Sequence, residues 1–578
     1  MRLKTPYAVG EIPHREYPRP QFERKSFLCL NGKWSFGKCA QSERDFMPMG
    51  EITVPFSPET ALSGIPEGFC LSADEKSVYE REFVVDESML QGRTLLHFGG
   101  VDQSCAVWMN GVCVGGHRGG FTPFSLDVTD TVREGNNRLR VECTDLTEGS
   151  HGARGKQSEQ RGGIWYTAQS GIWQTVWMES MPKDHIRDFT LKTDAAENRV
   201  HLSVDCPCAV TLTVFDGDGE IYRETRDDGD FTVEYAFILW SPEHPKLYGM
   251  TLTAESGDVV HSYFGVRSVS VGQDECGKPR LMLNGKPYFF NGLLDQGYWS
   301  DGMLTPPCEQ AMVDELTMLK EMGFNTLRKH IKIEPMRWYY HCDRLGILVW
   351  QDFVNGGGKY IGSHVTVFPF LGVKHKDSDY RYFARENEGG RDEFMQGMAE
   401  TVSALKNSPS VVLWTVFNEG WGQFDSAKVT ERLKQLDDTR LIDSVSGWHD
   451  QGVGKTTLKS LHTYFTPLRV PKDVRPVVLS EFGGYSLSVA GHQYSEKTFG
   501  YKVFKTEETY RAALEKLYLQ KVKPLISKGL CACIYTQVSD VEEEINGLVT
   551  YDRKKWKVPV AFMQKINAAL QEESEKVK

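Results

Sequence analysis

Eight short apolar runs fill the second half of the chain. They are YFFNGL (288–293), NTLRKH (325–330), ILVWQD (347–352), VVLWTVFNE (411–419), RLIDSVSG (440–447), LKSLHTY (458–464), PVVLSEF (476–482) and ACIYTQVSD (532–540). Helical stretches such as CEQAMVDELTMLKEMG, RDEFMQGMAETVSALKN and KTEETYRAALEKLYLQKVKPLISKG lie between them. Runs this short and this apolar read as strands buried on both faces, which is the condition of a parallel sheet covered by helices. Eight of them in alternation with helices predict a (β/α)8 TIM barrel over residues 273–578. A doubly wound open sheet is the alternative, but no glycine-rich phosphate turn follows the first run. The connection from the third run to the fourth, about residues 353–410, is long and opens with NGGGKYIGSHVTVFPF, the composition of a lid or pocket wall.

The preceding residues have a different texture. LCLNGKWSF, YEREFVV, RTLLHFGG, CAVWMNGVCVGG, NRLRVECTD and WQTVWMES alternate in polarity and are cut by glycine, asparagine and aspartate. That pattern predicts a β-sandwich over residues 1–182. A second set, including FTLKTDAA, VHLSVDC, AVTLTVFD and KLYGMTLTAE, suits a smaller immunoglobulin-like β-sandwich over 183–272.

Charge and composition narrow the function classes. The 67 basic and 78 acidic residues give a net charge of −11, spread without a basic cluster that could track a phosphate backbone, so no nucleic-acid partner is expected. No segment approaches 18 uninterrupted apolar residues and the N-terminus lacks a signal-peptide core, which leads to the expectation of a cytoplasmic protein with no membrane partner. The thirteen cysteines include Cys206-Pro-Cys208 and Cys531-Ala-Cys533, spacings that match neither zinc sites nor redox motifs, and reduced thiols are favoured over disulfides. Histidines 330, 341, 375, 449, 462 and 492 have no His-Glu-x-x-His companion, so neither a metal nor a cofactor is expected. A serine elbow is absent too, because no Gly-x-Ser-x-Gly sequence appears.

In a barrel, the C-terminal ends of the strands line the active site. Glu419 ends the fourth run and Glu481 ends the seventh, so both carboxylates face one mouth. A pair with separated proton affinities is what acetal cleavage requires, one acid for the leaving oxygen and one nucleophile or base for the oxocarbenium-like carbon. Either glutamate alone reads as a solvated strand end or an ion-pair partner; their pairing on one rim is what favours catalysis. Asp295, Arg328, His330, Asp352, Trp448, His462 and Tyr464 end neighbouring runs. Trp299, Trp421 and Trp448 offer flat apolar faces on which a sugar could stack.

The Asn418-Glu419 and Glu481 pair resembles that of the retaining β-glycosidases of the 4/7 barrel clan, and the flanking domains resemble glycoside hydrolase family 2. The supporting stretches are YEREFVV, VWMNGVCVGGHRGGFTPFSLDVTDTVREGNNRLRVECTD and SGIWQTVWMES, then LMLNGKPYFFNGLLDQGYW, GFNTLRKHIKIEPMRWYYHCDRLGILVWQD and TQVSDVEEEINGLVTYDR. The resemblance implies that the N-terminal sandwich is a jelly-roll sugar-binding-like domain. It implies Glu419 as general acid/base and Glu481 as nucleophile, with carboxyl groups about 5–5.5 Å apart. It also implies Asn418 on the sugar 2-hydroxyl, Arg328 and Tyr464 holding Glu481, and Asp295, His330, Trp448 and His462 shaping the sugar subsite. Tyr535 stands where many relatives place a platform tryptophan. Members acting on glucuronides carry an Asn-x-Lys pair before a Gly-(Ile/Leu)-x-Thr-x-Asp-Arg stretch; here the lysine is absent and Glu544 stands nearby. A like charge there predicts that glucuronides are poor substrates and favours a neutral, β-galactoside-like terminal sugar. β-Glucoside, β-mannoside and β-glucuronide hydrolysis stay open, as does a non-catalytic carbohydrate-binding protein on a hydrolase scaffold. The family's galactosidases often use magnesium and sodium, which are not carried over to a chain ending with its barrel. Oligosaccharides or glycosides are the expected partners, and a homo-oligomer is compatible with the sequence.

Overall fold

The computed structural model describes residues 3–371, 373–454 and 457–577. Two antiparallel sheets come first. Strands Phe27–Cys29, Val176–Met181, Arg93–Phe98 and Phe124–Asp127 form one, and six strands from Met47–Val54 to Val112–Arg118 form the other. Period-two alternation assembles their shared core. Along Gly135–Thr144, Leu139, Val141 and Cys143 are buried against Trp34, Phe36 and Ile52, while the residues between them are wetter. A second sandwich follows, with three strands between Asp188 and Glu234 facing four between Val210 and Phe264 around Leu202, Val214 and Leu252.

The remaining residues form a nearly closed parallel barrel. Its strands are β1 (Phe290–Asp295), β2 (Thr326–Lys329), β3 (Leu348–Asp352), β4 (Val411–Asn418), β5 (Leu441–Ser446), β6 (Lys459–Thr463), β7 (Val477–Gly483) and β8 (Leu530–Thr536). The hydrogen-bonded order is β5-β4-β3-β2-β1-β8-β7-β6, parallel throughout. A parallel bridge from Ile442 to Thr457, with Leu458 N–H donating to the Ile442 carbonyl at 3.2 Å, ties β5 to the start of β6. Phe290, Leu348, Trp350, Leu413 and Val478 fill the lower interior, and Trp240 and Leu281 plug the base from outside the barrel. The barrel is therefore a packed core with chemistry at one end. Trp350 is fully buried there, and its loss to alanine would cost about 3–5 kcal/mol.

All eight expected strands are present, with differences at their ends. The eighth run was expected to continue to Asp540; β8 stops at Thr536, and the following residues fold back through a Ser539–Val549 bridge. The helical stretch at 505–529 is regular over Glu507–Glu515, widens into a π-helical turn over Lys516–Val522 and resumes at Lys523–Ile526. Pro524, which has no N–H to give, stands at the restart. All thirteen cysteines are free thiols. Among the described residues no helix is long and apolar enough to cross a membrane.

Candidate active site

Strand pairing at the C-terminal rim is deliberately uneven. β7 slips register between Leu479 and Phe482 against β8, and β6 slips between Leu461 and His462 against β7. Such bulges re-aim a side chain that strict alternation would send elsewhere. Ser480 and Glu481 both face inward as a result, while Leu479 and Phe482 pack against the helices. At the end of β4, Asn418 still pairs with Ser446 of β5, and Glu419 turns out of the sheet with φ of 52°. Gly420 follows at φ 81°; a Cβ there would come within 2.7 Å of the His449 ring.

The two carboxylates converge from these ends. One oxygen of Glu419, one of Glu481 and a ring nitrogen of His462 lie within 4.8 Å of one another. His462 Nδ1 is 2.6 Å from Glu419 Oε1, and its Nε2 is 3.0 Å from Ser446 Oγ and 3.6 Å from Glu481 Oε1. Arg328 Nη1 donates to Glu481 at 3.1 Å, and the Tyr464 hydroxyl donates to the other oxygen at 2.5 Å. The same guanidinium forks onto Asp352 at 3.0 and 2.9 Å and donates to Asn418 Oδ1 at 2.8 Å. His330 Nδ1 completes the group, 2.8 Å from Asp352 Oδ2.

These contacts set the charge states. Burial pushes Glu481 up, but His462, Arg328, His330 and the Tyr464 hydroxyl outweigh it and hold the carboxyl at about 2. Arg328 keeps its charge at every relevant pH. Burial lowers His330 to about 4, so its ring is neutral near pH 7. Asn418 Nδ2 is buried and has no partner among the described residues, which leaves a donor beside Glu419.

The rim does not gather every residue read from the sequence. Asp295 faces the helix layer: it is salt-bridged to Lys329 at 2.6 Å, and Lys329 also pairs with Glu334 at 2.8 Å and lies 4.3 Å above the Trp338 ring. Leu293 already faces outward, and a two-residue period carries Asp295 to the same side. Tyr535 is turned outward for the same reason, fully buried against Phe482 and Tyr518, with its hydroxyl accepting from Tyr485 N–H at 3.0 Å. It cannot serve as a sugar platform; Thr536, next in β8, reaches Tyr464 instead. Trp299 packs edge-on against Tyr7 beneath the Arg553 guanidinium. Trp448 stays at the rim, 6.0 Å from the His462 ring, and Trp421 lies 6.3 Å from His330.

One wall comes from the N-terminal sandwich, and sequence reading missed it. The segment from Ala153 to Thr167 crosses onto the barrel rim, bridging Ala153 to Gly356 of the long β3–β4 connection. Gly155, at φ 62°, passes so close that a Cβ would meet the Ile331 carbonyl at 3.0 Å. Next to it, Lys156 places its Nζ 4.4 Å from the Trp421 ring and 5.6 Å from Trp165. Trp165 packs on Trp421 and on Tyr360 from the expected pocket-wall segment. Tyr166 donates to Glu544 Oε2 at 2.5 Å, and Asn546 donates to Oε1 at 2.9 Å. Nothing in GARGKQSEQRGGIWYT distinguishes it from a surface loop; only its three-dimensional approach reveals it.

A jelly-roll and an immunoglobulin-like sandwich ahead of a (β/α)8 barrel, with paired strand-end carboxylates on β4 and β7, define the class. The family description "Glycosyl hydrolases family 2, TIM barrel domain" matches residues 275–568, the family's sugar binding domain matches 64–182, and "Glycosyl hydrolases family 2" matches 184–267. The chain belongs to glycosyl hydrolase family 2. It is 23% identical over 501 residues to a β-galactosidase of Leuconostoc mesenteroides, covering 76% of this chain and 44% of that protein. It is 25% identical over 424 residues to a β-glucuronidase of Streptococcus agalactiae, covering 68% and 66%. The chain thus spans about half the length of several curated relatives it matches. The solved β-D-glucuronidase of Dictyoglomus thermophilum shares the fold with a TM-score of 0.75 at 18% identity, over 96% of this chain and 98% of that one.

Proposed function

We propose that the protein is a retaining, exo-acting β-glycosidase that releases a terminal β-linked sugar by double displacement. The approach of Glu419 and Glu481 oxygens to within 4.8 Å carries this reading. Inverting enzymes separate their carboxyl groups by about 6.5–9.5 Å to admit a water, whereas retaining ones hold them about 5–5.5 Å apart. Glu481, kept ionised, is the nucleophile. Glu419 protonates the leaving oxygen and then, as its conjugate base, activates the water that opens the glycosyl-enzyme. Asn418 Nδ2 is the donor for the sugar 2-hydroxyl. Arg328 and Tyr464 orient Glu481, and Trp448, Trp421, His330 and His462 bound the sugar. Relatives named β-galactosidase and β-glucuronidase support a hexose or a hexuronic acid as that sugar, and the neutral β-galactoside is the sequence-based choice between them.

Chemical rescue and product stereochemistry test the mechanism. In Glu481→Gly, azide is expected to restore turnover of an aryl β-glycoside and to give the α-glycosyl azide. Proton NMR of the wild-type reaction is expected to show the β-anomer first; initial α-product would mean inversion and end the assignment.

A further inference from the structure

Lys156 is a buried ammonium, 5% exposed, with its Nζ 5.6 Å from the Trp165 ring and 4.4 Å from the Trp421 ring. Among the described residues its Nζ has neither a hydrogen bond nor a carboxylate in ion-pair range. The two indoles hold it through their ring faces but supply no counter-charge. The acids that face it are Glu544, Glu419 and Glu481. Each of these is already engaged: Glu481 by Arg328 and Tyr464, Glu419 by His462, and Glu544 by Tyr166 and Asn546. Burial raises the Glu544 carboxyl, against the pull of Lys156 and its two donors, which weakens its claim as the lysine's counter-ion. A desolvated ammonium without an anion is unfavourable, and the acids whose charges act on this one include both rim carboxylates, Glu419 and Glu481.

We infer that Lys156 is a specificity-determining residue contributed by the N-terminal sandwich, and that it pairs with the carboxylate of a terminal uronic acid. This rests on the retaining β-glycosidase reading and names the sugar class that reading leaves open. It replaces the sequence-based expectation of a neutral sugar, which looked for a lysine only beside Glu544. The cation is present, but it reaches the pocket from another domain. A uronate there would leave no net uncompensated charge, whereas a neutral hexose would leave the ammonium bare.

The test compares 4-nitrophenyl β-D-glucuronide and β-D-galacturonide with the β-D-glucoside and β-D-galactoside. Wild-type kcat/KM is expected to favour a uronide over the neutral sugar of the same configuration by about a hundredfold or more, the scale of one desolvated charge pair. In Lys156→Met that ratio is expected to collapse, mainly through KM; because it is a ratio, a reduced folded fraction leaves it unmoved. A wild-type ratio below about ten, or one that Lys156→Met does not change, overturns the role of Lys156 while leaving the glycosidase reading intact. If no β-glycoside is hydrolysed, and no 2-deoxy-2-fluoro glycosyl fluoride of either class adds its glycosyl mass to Glu481, the glycosidase reading itself fails and the inference falls with it.

Discussion

On the floor of the site, at the C-terminal rim of the barrel, charge meets counter-charge within hydrogen-bond distance. Arg328 spans Asp352 and Glu481, His330 braces Asp352, and His462 sits between the two glutamates. On the wall supplied by the N-terminal sandwich, Lys156 is held by two indoles and meets no anion among the described residues. A self-neutralised floor is preorganised: its groups are fixed before substrate arrives, as stabilising developing charge requires. An unneutralised wall is selective, because only a ligand that supplies the missing charge completes it. On the proposed reading, chemistry and sugar choice reside in different domains, and substitutions should separate them.

The largest effect is expected on the floor. Glu481→Gln removes the proposed nucleophile and should lower kcat by about four to six orders of magnitude, as for other residues that act as a unit. Glu419→Gln removes the proposed acid and should lower kcat/KM, which excludes the later water-activation step, by about 10²–10⁴ on substrates with poor leaving groups and far less with 2,4-dinitrophenolate, which needs no proton. Equal losses on both leaving groups would put the proton donor elsewhere. Next comes Arg328→Met, which strands Asp352 and Glu481 as buried acids; breaking a buried pair costs about 3–5 kcal/mol, to be read as a loss of barrel stability in denaturant together with activity.

Tyr166→Phe probes the wall. It removes the 2.5 Å hydrogen bond to Glu544 and leaves that buried oxygen without its donor. The expected cost is about 1–3 kcal/mol, and it should show as raised KM with Glu481 labelling still complete at saturation. Loss of labelling at saturation would mean that the wall also positions the nucleophile.

The floor was readable in the sequence because its signals are local. VVLWTVFNE and PVVLSEF are apolar strands that each end on an acid, and a barrel brings all strand ends to one rim. Asp295 and Tyr535 satisfied the same criterion and nevertheless face the helices, because strand-end position does not encode pleat parity. Glu481 faces inward only through a bulge at Ser480 that a linear reading could not anticipate. The part of the wall that the N-terminal sandwich supplies was not readable. The role proposed for Lys156 depends on Gly155, where the lack of a Cβ lets the segment pass close to the Ile331 carbonyl, far apart in sequence.

The smallest predicted effect marks where the floor's neutrality fails. Asp443, on β5 beneath the catalytic layer, is 1% exposed, and neither carboxylate oxygen makes a hydrogen bond among the described residues. Burial raises its carboxyl to about 6, with Ser460 and Arg328 opposing. The folded value lies above the unfolded value of about 3.9, so the native state binds the proton more tightly. The stability this provides is complete below the unfolded pKa and is lost as pH rises through about 6. At pH 7.5 the ionised group is a net cost, and Asp443→Asn removes the titration while keeping the shape. After the amide's own unpaired groups are counted, a gain of about 1 kcal/mol is expected at pH 7.5 and none at pH 4. Thermal unfolding of both proteins across that range is the measurement. A variant that gains equally at both pH values, or loses at pH 7.5, would show that Asp443 is a neutralised member of the floor after all.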